Sequence, residues 1–147
     1  MTAGAAGKLY TTELLSLATE LSAFPLTGDW ALAGEARSRT CGSSIRVGIE
    51  PDGQGRVAKV GLAVTACAVG QAAATIFARE ARGKNAGEIA TALEEIESWL
   101  EGPEASAPQW PGFSALDAAR AHPGRHGALL LPWKAAVDVL CKAGNSG

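Results

Sequence analysis

The feature that most constrains the fold of this chain is a pair of apolar segments joined by five turn-forming residues. Residues 44–50 alternate between apolar side chains and polar residues or glycine, which gives a strand with one apolar face. Residues 51–55 read Pro-Asp-Gly-Gln-Gly, and residues 57–64 are again apolar and rich in β-branched residues. This pattern predicts a β-hairpin of strands Ser44–Glu50 and Val57–Val64. We expect Glu35–Thr40 to add a third antiparallel strand beside it.

Helical character dominates the chain on either side of the predicted sheet. The segment after the hairpin is rich in alanine and free of proline, and Asn85 with Glu88 forms a capping box for the helix that follows it. The predicted helices are Lys8–Leu21, Ala68–Arg82, 85–100, Phe113–Ala121 and Leu129–Lys142. Residues 23–34 and 102–112 contain prolines and glycines and are predicted as loops. We therefore expect an α+β fold in which a small antiparallel three-stranded sheet is packed on one side by four to five helices.

Composition limits the class of protein. A length of 147 residues with 47% hydrophobic and 19% charged residues predicts one domain, 1–147, with frayed ends at 1–7 and 143–147. The formal net charge of −2 gives no electrostatic reason to expect nucleic acid as a partner. No apolar run is long enough for a membrane span, and the small, neutral N-terminus does not resemble a secretory leader. Three cysteines are too few for a disulfide scaffold, so we expect a reduced, cytoplasmic setting.

Two of the cysteines lie at corresponding positions of the predicted hairpin. Cys41 comes just before its first strand, and Cys67 follows its second strand at the start of the alanine-rich helix. Pairing of the two strands would bring both thiols to one end of the sheet. The free N–H groups of a helix N-terminus favour a thiolate, the form that binds metals and attacks sulfur. The alternative is that these cysteines are small buried hydrophobic residues, and this is the interpretation we give to Cys141 near the chain's end.

Four segments of the chain resemble a known family. Residues 39–47 read Arg-Thr-Cys-Gly-Ser-Ser-Ile-Arg-Val, and residues 66–74 read Ala-Cys-Ala-Val-Gly-Gln-Ala-Ala-Ala. Residues 81–84 read Ala-Arg-Gly-Lys, and residues 123–135 read Pro-Gly-Arg-His-Gly-Ala-Leu-Leu-Leu-Pro-Trp-Lys-Ala. In this order and spacing they resemble the IscU/NifU-type iron–sulfur cluster assembly scaffold proteins, and the SufU-like branch in particular. The resemblance extends over most of the chain.

The resemblance implies a site and also shows where this chain departs from the family. Family members bind an Fe–S cluster or zinc through three cysteines and one aspartate. Cys41 and Cys67 match the first two cysteines, whereas Ser43 stands at the aspartate position and Ala128 at the third cysteine position. Two of the four ligand positions are therefore substituted, and His126 and Ser43 are the candidates to replace them. The resemblance further implies a non-enzymatic scaffold that works with a cysteine desulfurase and other iron–sulfur assembly proteins.

Three functions remain open at this point. The first is a scaffold that holds iron, a 2Fe–2S cluster or zinc through Cys41 and Cys67, with a homodimer as one way to complete the ligands. The second is a sulfur carrier in which Cys67 accepts persulfide sulfur from a cysteine desulfurase and Cys41 resolves it. The third is a scaffold homologue that has lost its ligands and acts as a binding module. The register of the predicted hairpin should place the Cys41 and Cys67 thiols within about 7 Å of each other, close enough to share a metal ion.

Overall fold

The fold is built on the predicted hairpin. The computed structural model describes residues 10–39, 42–102 and 105–146. Its strands are β1 (Leu32–Arg37), β2 (Ser44–Pro51) and β3 (Val57–Thr65). They form one antiparallel sheet in the order β1-β2-β3, so β2 lies in the middle. The apolar side chains of β2 that alternate along the strand are buried: Ile45, Val47 and Ile49.

The helices pack against the sheet and against one another. They are α1 (Thr12–Glu20), α2 (Ala68–Ala81), α3 (Ala86–Glu101) and α4 (His126–Ser146). Shorter 3-10 helices span Leu21–Ala23, Phe113–Ala121 and Pro123–Arg125. Helix α2 packs on β3, and α4 packs on β1 and β2, while α1 contacts α2 and α3 contacts α4. The predicted α+β architecture of a three-stranded sheet with helices is confirmed.

The turn of the hairpin is stabilised by an aspartate. The Asp52 carboxylate accepts hydrogen bonds from the backbone N–H groups of Gln54 (2.8 Å) and Arg56 (3.0 Å). Both hydrogen bonds lower the pKa of Asp52 below its usual value, and the bond from Arg56 has the larger effect. Gly55 follows with a φ of +80°, a conformation that favours glycine. The sequence between β2 and β3 therefore specifies the turn locally.

The predicted bounds of three elements are wrong. We expected the first strand at Glu35–Thr40, but β1 spans Leu32–Arg37 and so includes three residues of the predicted loop. We expected the last helix at Leu129–Lys142, but α4 begins at His126 and continues to Ser146, with Pro132 inside it. We expected the first helix at Lys8–Leu21, but α1 begins only after its N-cap Thr11, whose hydroxyl accepts a hydrogen bond from the Leu14 N–H.

An aromatic cluster fills the space between the helices. Phe77 of α2 stacks on Trp110 with ring centroids 5.6 Å apart, and Trp133 of α4 meets both rings edge-on. The Trp110 indole N–H donates to the Ile76 carbonyl oxygen at 2.9 Å. None of the helices in the described part of the chain is long and apolar enough to cross a membrane.

The outer face of the sheet is covered by the segment before β1. Gly48 and Gly61 are paired across β2 and β3, and the Trp30 ring lies against both of them. A Cβ atom on either glycine would overlap this ring. The two glycines therefore form a shallow groove that accommodates one tryptophan, with the Lys59 Nζ 5.4 Å from its ring centroid.

Candidate functional site

The candidate site lies at the end of the sheet where β2 begins and β3 ends. Ser44, the first residue of β2, pairs with Arg37 on one side and with Thr65 on the other. Ser43 directly precedes this row, and its carbonyl oxygen accepts a hydrogen bond from the Ser38 N–H at 2.8 Å. Ser43 is buried, with 4% of its surface exposed, whereas its neighbour Gly42 is exposed and has a φ of +70°. The segment that enters β2 is thus held tightly against the end of the sheet.

Cys67 lies at the same end, two residues after the last pair of β3. It is the N-cap residue of α2, as the sequence predicts, and its side chain makes no capping hydrogen bond. The thiol is free and the residue is half-buried. The Gln71 side-chain amide donates to the Ala66 carbonyl oxygen at 2.9 Å, which fixes the backbone just before the cysteine. Cys67 packs against the hydrophobic core and is partly exposed to solvent.

Helix α4 brings its first turn against the first turn of α2. Gly70 of α2 faces Ala128 so closely that a Cβ atom on Gly70 would lie 3.1 Å from the Ala128 Cβ and 2.7 Å from the Ala66 Cβ. Ala128 is buried in this contact and has no side-chain donor. Ala128, at which the resemblance places the family's third cysteine, is therefore adjacent to the first turn of α2, and its methyl group cannot bind a metal. The sequence contains one signal for this contact, a glycine within an otherwise alanine-rich helix.

His126 has a different environment from the one expected for it. The sequence suggests a loop histidine, but His126 is the first residue of α4 and is half-buried. Its Nε2 atom faces two carbonyl oxygens, that of Arg120 at 2.9 Å and that of Ala119 at 3.2 Å, so Nε2–H is the donor. Only Nδ1 is left as a potential metal-binding atom. The neighbouring Arg125 guanidinium donates to the Tyr10 hydroxyl at 3.2 Å, a contact that the sequence does not reveal.

The other two cysteines of the chain are Cys41 and Cys141. Cys41 lies outside the described residues, so the distance between its thiol and that of Cys67 stays a prediction. Cys141 is exposed on α4, so its interpretation as a small buried hydrophobic residue is wrong. It lies thirteen residues beyond Ala128, which corresponds to about 20 Å along a helix. Among residues 10–39, 42–102 and 105–146, no group of three or more histidine, cysteine or acidic side chains is arranged to hold a metal ion. Of the site residues that the sequence predicts, those described at this end of the sheet are Cys67 and Ser43.

Comparison with known proteins identifies the fold. No protein-family model and no curated protein matches the sequence. The structure of an N-terminal NifU-like protein from Brucella abortus superposes with a TM-score of 0.87 at 23% identity, covering 97% of this chain and 99% of that one. The chain has the IscU/NifU-type fold. A protein from Fervidobacterium islandicum AW-1, described as an iron–sulfur cluster assembly scaffold of the SUF system, gives 0.78 at 20% identity, covering 91% and 98%.

A third solved structure is also similar to this chain. A hypothetical protein superposes with a TM-score of 0.69 at 19% identity, covering 87% of this chain and 96% of that one. Because identities at this level establish the fold alone, the function of the present chain has to be argued from its own residues.

Proposed function

We propose that this protein is a scaffold-like component of iron–sulfur cluster assembly that holds its cargo through Cys41 and Cys67. The observation that supports the proposal is the position of Cys67 on this fold. Cys67 is the N-cap residue of α2 and has a free thiol, and Ala128 packs on Gly70 in the first turn of the same helix. Cys41 directly precedes Gly42 and would bring the second thiol.

The donor set favours an open site over a closed metal centre. A structural zinc ion requires four ligands, and an Fe–S cluster of the 2Fe–2S type is usually held by four thiolates. Ala128 has no donor atom, and the Nε2 atom of His126 is engaged by two carbonyl oxygens. We therefore propose that this chain supplies two thiolates and that a second protein, or a second copy of the chain, supplies the rest. A cargo held in this way would be easy to transfer.

A second function is favoured by the free, half-buried Cys67 thiol at the N-cap of α2. Accepting sulfur from a cysteine desulfurase requires one accessible thiolate and no further ligands. The Cys67 thiolate would attack the outer sulfur of the desulfurase persulfide and form a new S–S bond. The S–S bond of the donor would break, and the desulfurase cysteine would leave as a thiolate. The exchange consumes neither oxidant nor reductant, which is compatible with the reduced cytoplasm that we propose as its setting.

Anaerobic reconstitution with ferrous iron and sulfide tests the first function. The wild type is compared with Cys67→Ala and with Cys141→Ala, a matched control because Cys141 is a free cysteine remote from the site. We expect the wild type and the control to bind iron and acid-labile sulfide in equal amounts and to show a cluster absorption band. Cys67→Ala should lose both signals. Equal binding by all three proteins, or binding by none, would contradict the proposal.

Incubation with a cysteine desulfurase and cysteine, followed by mass spectrometry of the intact chain, tests the second function. One added sulfur on the wild type and on Cys141→Ala, and none on Cys67→Ala, is the expected result. A protein that binds neither cluster nor sulfur would be left with the third role, a binding module that recruits other assembly proteins.

A further inference from the structure

The two edges of the sheet differ in whether other segments of the chain form hydrogen bonds with them. Along the outer edge of β3, the Val57 N–H donates to the Lys84 carbonyl oxygen and the Leu62 N–H donates to the Phe24 carbonyl oxygen, both at 2.9 Å. Strand β1 pairs with β2 over all six of its residues, but within the described segments no strand pairs with its other edge. The open edge of the sheet is therefore that of β1.

This open edge lacks several of the features that usually prevent edge-to-edge pairing. Exposed edges are commonly protected by charged side chains, above all lysine, by proline, by a β-bulge or by a very short strand. Strand β1 carries two charged residues, Glu35 and Arg37, but they are of opposite sign. The six residues Leu-Ala-Gly-Glu-Ala-Arg of β1 contain neither lysine nor proline, and the irregularity of the sheet lies at Glu50 and Pro51, between β2 and β3. The alanines and the glycine of β1 also leave room for a second strand to approach.

In one register, two antiparallel copies of β1 place opposite charges next to each other. Its exposed side chains are Ala33, Glu35 and Arg37, and neither charged residue has an ion pair in the described structure. Two antiparallel copies of β1 are related by a twofold axis normal to the sheet. Residues directly opposite each other point to the same face of the sheet, so the axis passes beside a residue and not between two residues. An axis at Glu35 opposes two carboxylates, and an axis at Arg37 opposes two guanidinium groups. An axis at Ala36 places Glu35 opposite Arg37 of the other copy, twice.

We infer that two copies of this chain associate through the outer edges of β1, antiparallel and centred on Ala36, to form a continuous six-stranded sheet. The helices are compatible with this arrangement. Helix α4 packs on both β1 and β2, and Val139 of α4 lies directly over Gly34 of β1. With the helix axis between these two strands, the two α4 helices would be about 10 Å apart across the seam, at the edge of the normal helix-packing range.

The inferred dimer is distinct from one held together by a shared cluster. Cys67 follows β3, which is the outermost strand of each half of the six-stranded sheet. Five strand spacings, about 24 Å, would separate the two copies of Cys67. No single cluster or zinc ion can connect the two Cys67 thiols at that distance, so this dimer requires no metal.

Sedimentation equilibrium of the full chain, with a chelator and a reductant present, tests the inference. The wild type should approach twice the chain mass of 15.0 kDa as its concentration rises. Arg37→Glu opposes two carboxylates in each half of the seam and should raise the dissociation constant about tenfold or more. The double variant Glu35→Arg with Arg37→Glu restores both pairs and should restore the dimer. Lys59→Glu, which reverses an exposed charge on β3, two strands away from the seam, is the control and should remain dimeric.

Hydrogen exchange in the same solutions locates the interface. The amides of residues 35–37, over which the two copies of β1 overlap in this register, should exchange more slowly at high concentration in the wild type and in the double variant, but not in Arg37→Glu. A wild type that is monomeric at every concentration, or dimeric only without chelator, would overturn the inference. The same holds for a dimer that Arg37→Glu leaves unchanged, or for a correctly folded double variant that stays monomeric.

Discussion

The contact between the first turns of α2 and α4 gives a sharp stability prediction for Gly70→Ala. The added methyl group would lie 2.7 Å from the Ala66 Cβ and 3.1 Å from the Ala128 Cβ, and neither neighbour has a rotamer that could move away. Overpacking of this kind typically costs about 1–3 kcal/mol. The better helix propensity of alanine returns up to about 1 kcal/mol. We therefore expect a net loss of about 1 kcal/mol, or about 2–4 °C in Tm for a chain of this length.

A double-mutant cycle assigns this loss to the contact itself. Ala66→Gly removes the nearer methyl group, so Gly70→Ala should cost about 1 kcal/mol less in that background than in the wild type. The matched control is Gly87→Ala in the first turn of α3, where the new Cβ would meet only the Asn85 Oδ1 at 3.4 Å. Urea unfolding followed by circular dichroism measures all five proteins.

The result that would refute this reasoning is a Gly70→Ala variant as stable as Gly87→Ala, with no coupling to position 66. Such a result would mean that α2 and α4 do not approach each other closely at the candidate site. Ala128 would then not be adjacent to the turn that begins at Cys67.

Three further perturbations test other parts of the fold. Gly48→Ala should displace the Trp30 ring from the outer face and lower the free energy of unfolding by about 1–3 kcal/mol, measured in urea. Thr75→Val should cost about 1–3 kcal/mol because the buried Leu17 carbonyl oxygen loses its 2.6 Å donor, and Thr75→Ser, which keeps the hydroxyl, should cost less. Asp52→Asn should be less stable than the wild type at neutral pH. Because the pKa of Asp52 is lowered in the folded state, this difference should shrink as the pH falls below the ordinary value of 3.8, as unfolding at several pH values would show.

The parts of the fold that the sequence predicts are those specified by local chemistry. The hairpin follows from alternation and from the turn residues that include Asp52, and α3 follows from the Asn85–Glu88 capping box, both bonds of which are formed. The placement of Cys67 at a helix N-terminus follows because the strand and the alanine-rich helix meet at that residue.

The parts that sequence reasoning missed depend on distant contacts. Residues 32–34 resemble a loop because they contain no β-branched residue, yet they form a strand by pairing with β2 while Val139 packs over Gly34. The glycines on both sides of His126 suggest a turn, but its ring bonds back to the carbonyl oxygens of Ala119 and Arg120, and α4 begins there. Periodicity alone contains no information about either contact.

Because Trp30 lies on the outer face of the sheet and the other three tryptophans lie in the interior, the tryptophan emission of this protein has two separable components. Trp99, Trp110 and Trp133 belong to the interior aromatic cluster, whereas Trp30 rests on the glycine groove beside Lys59. A Trp30→Phe variant would reveal the interior signal, and its difference from the wild type would isolate the outer one. Stopped-flow emission during refolding would then time the docking of the segment that precedes β1 separately from the closure of the helical layer.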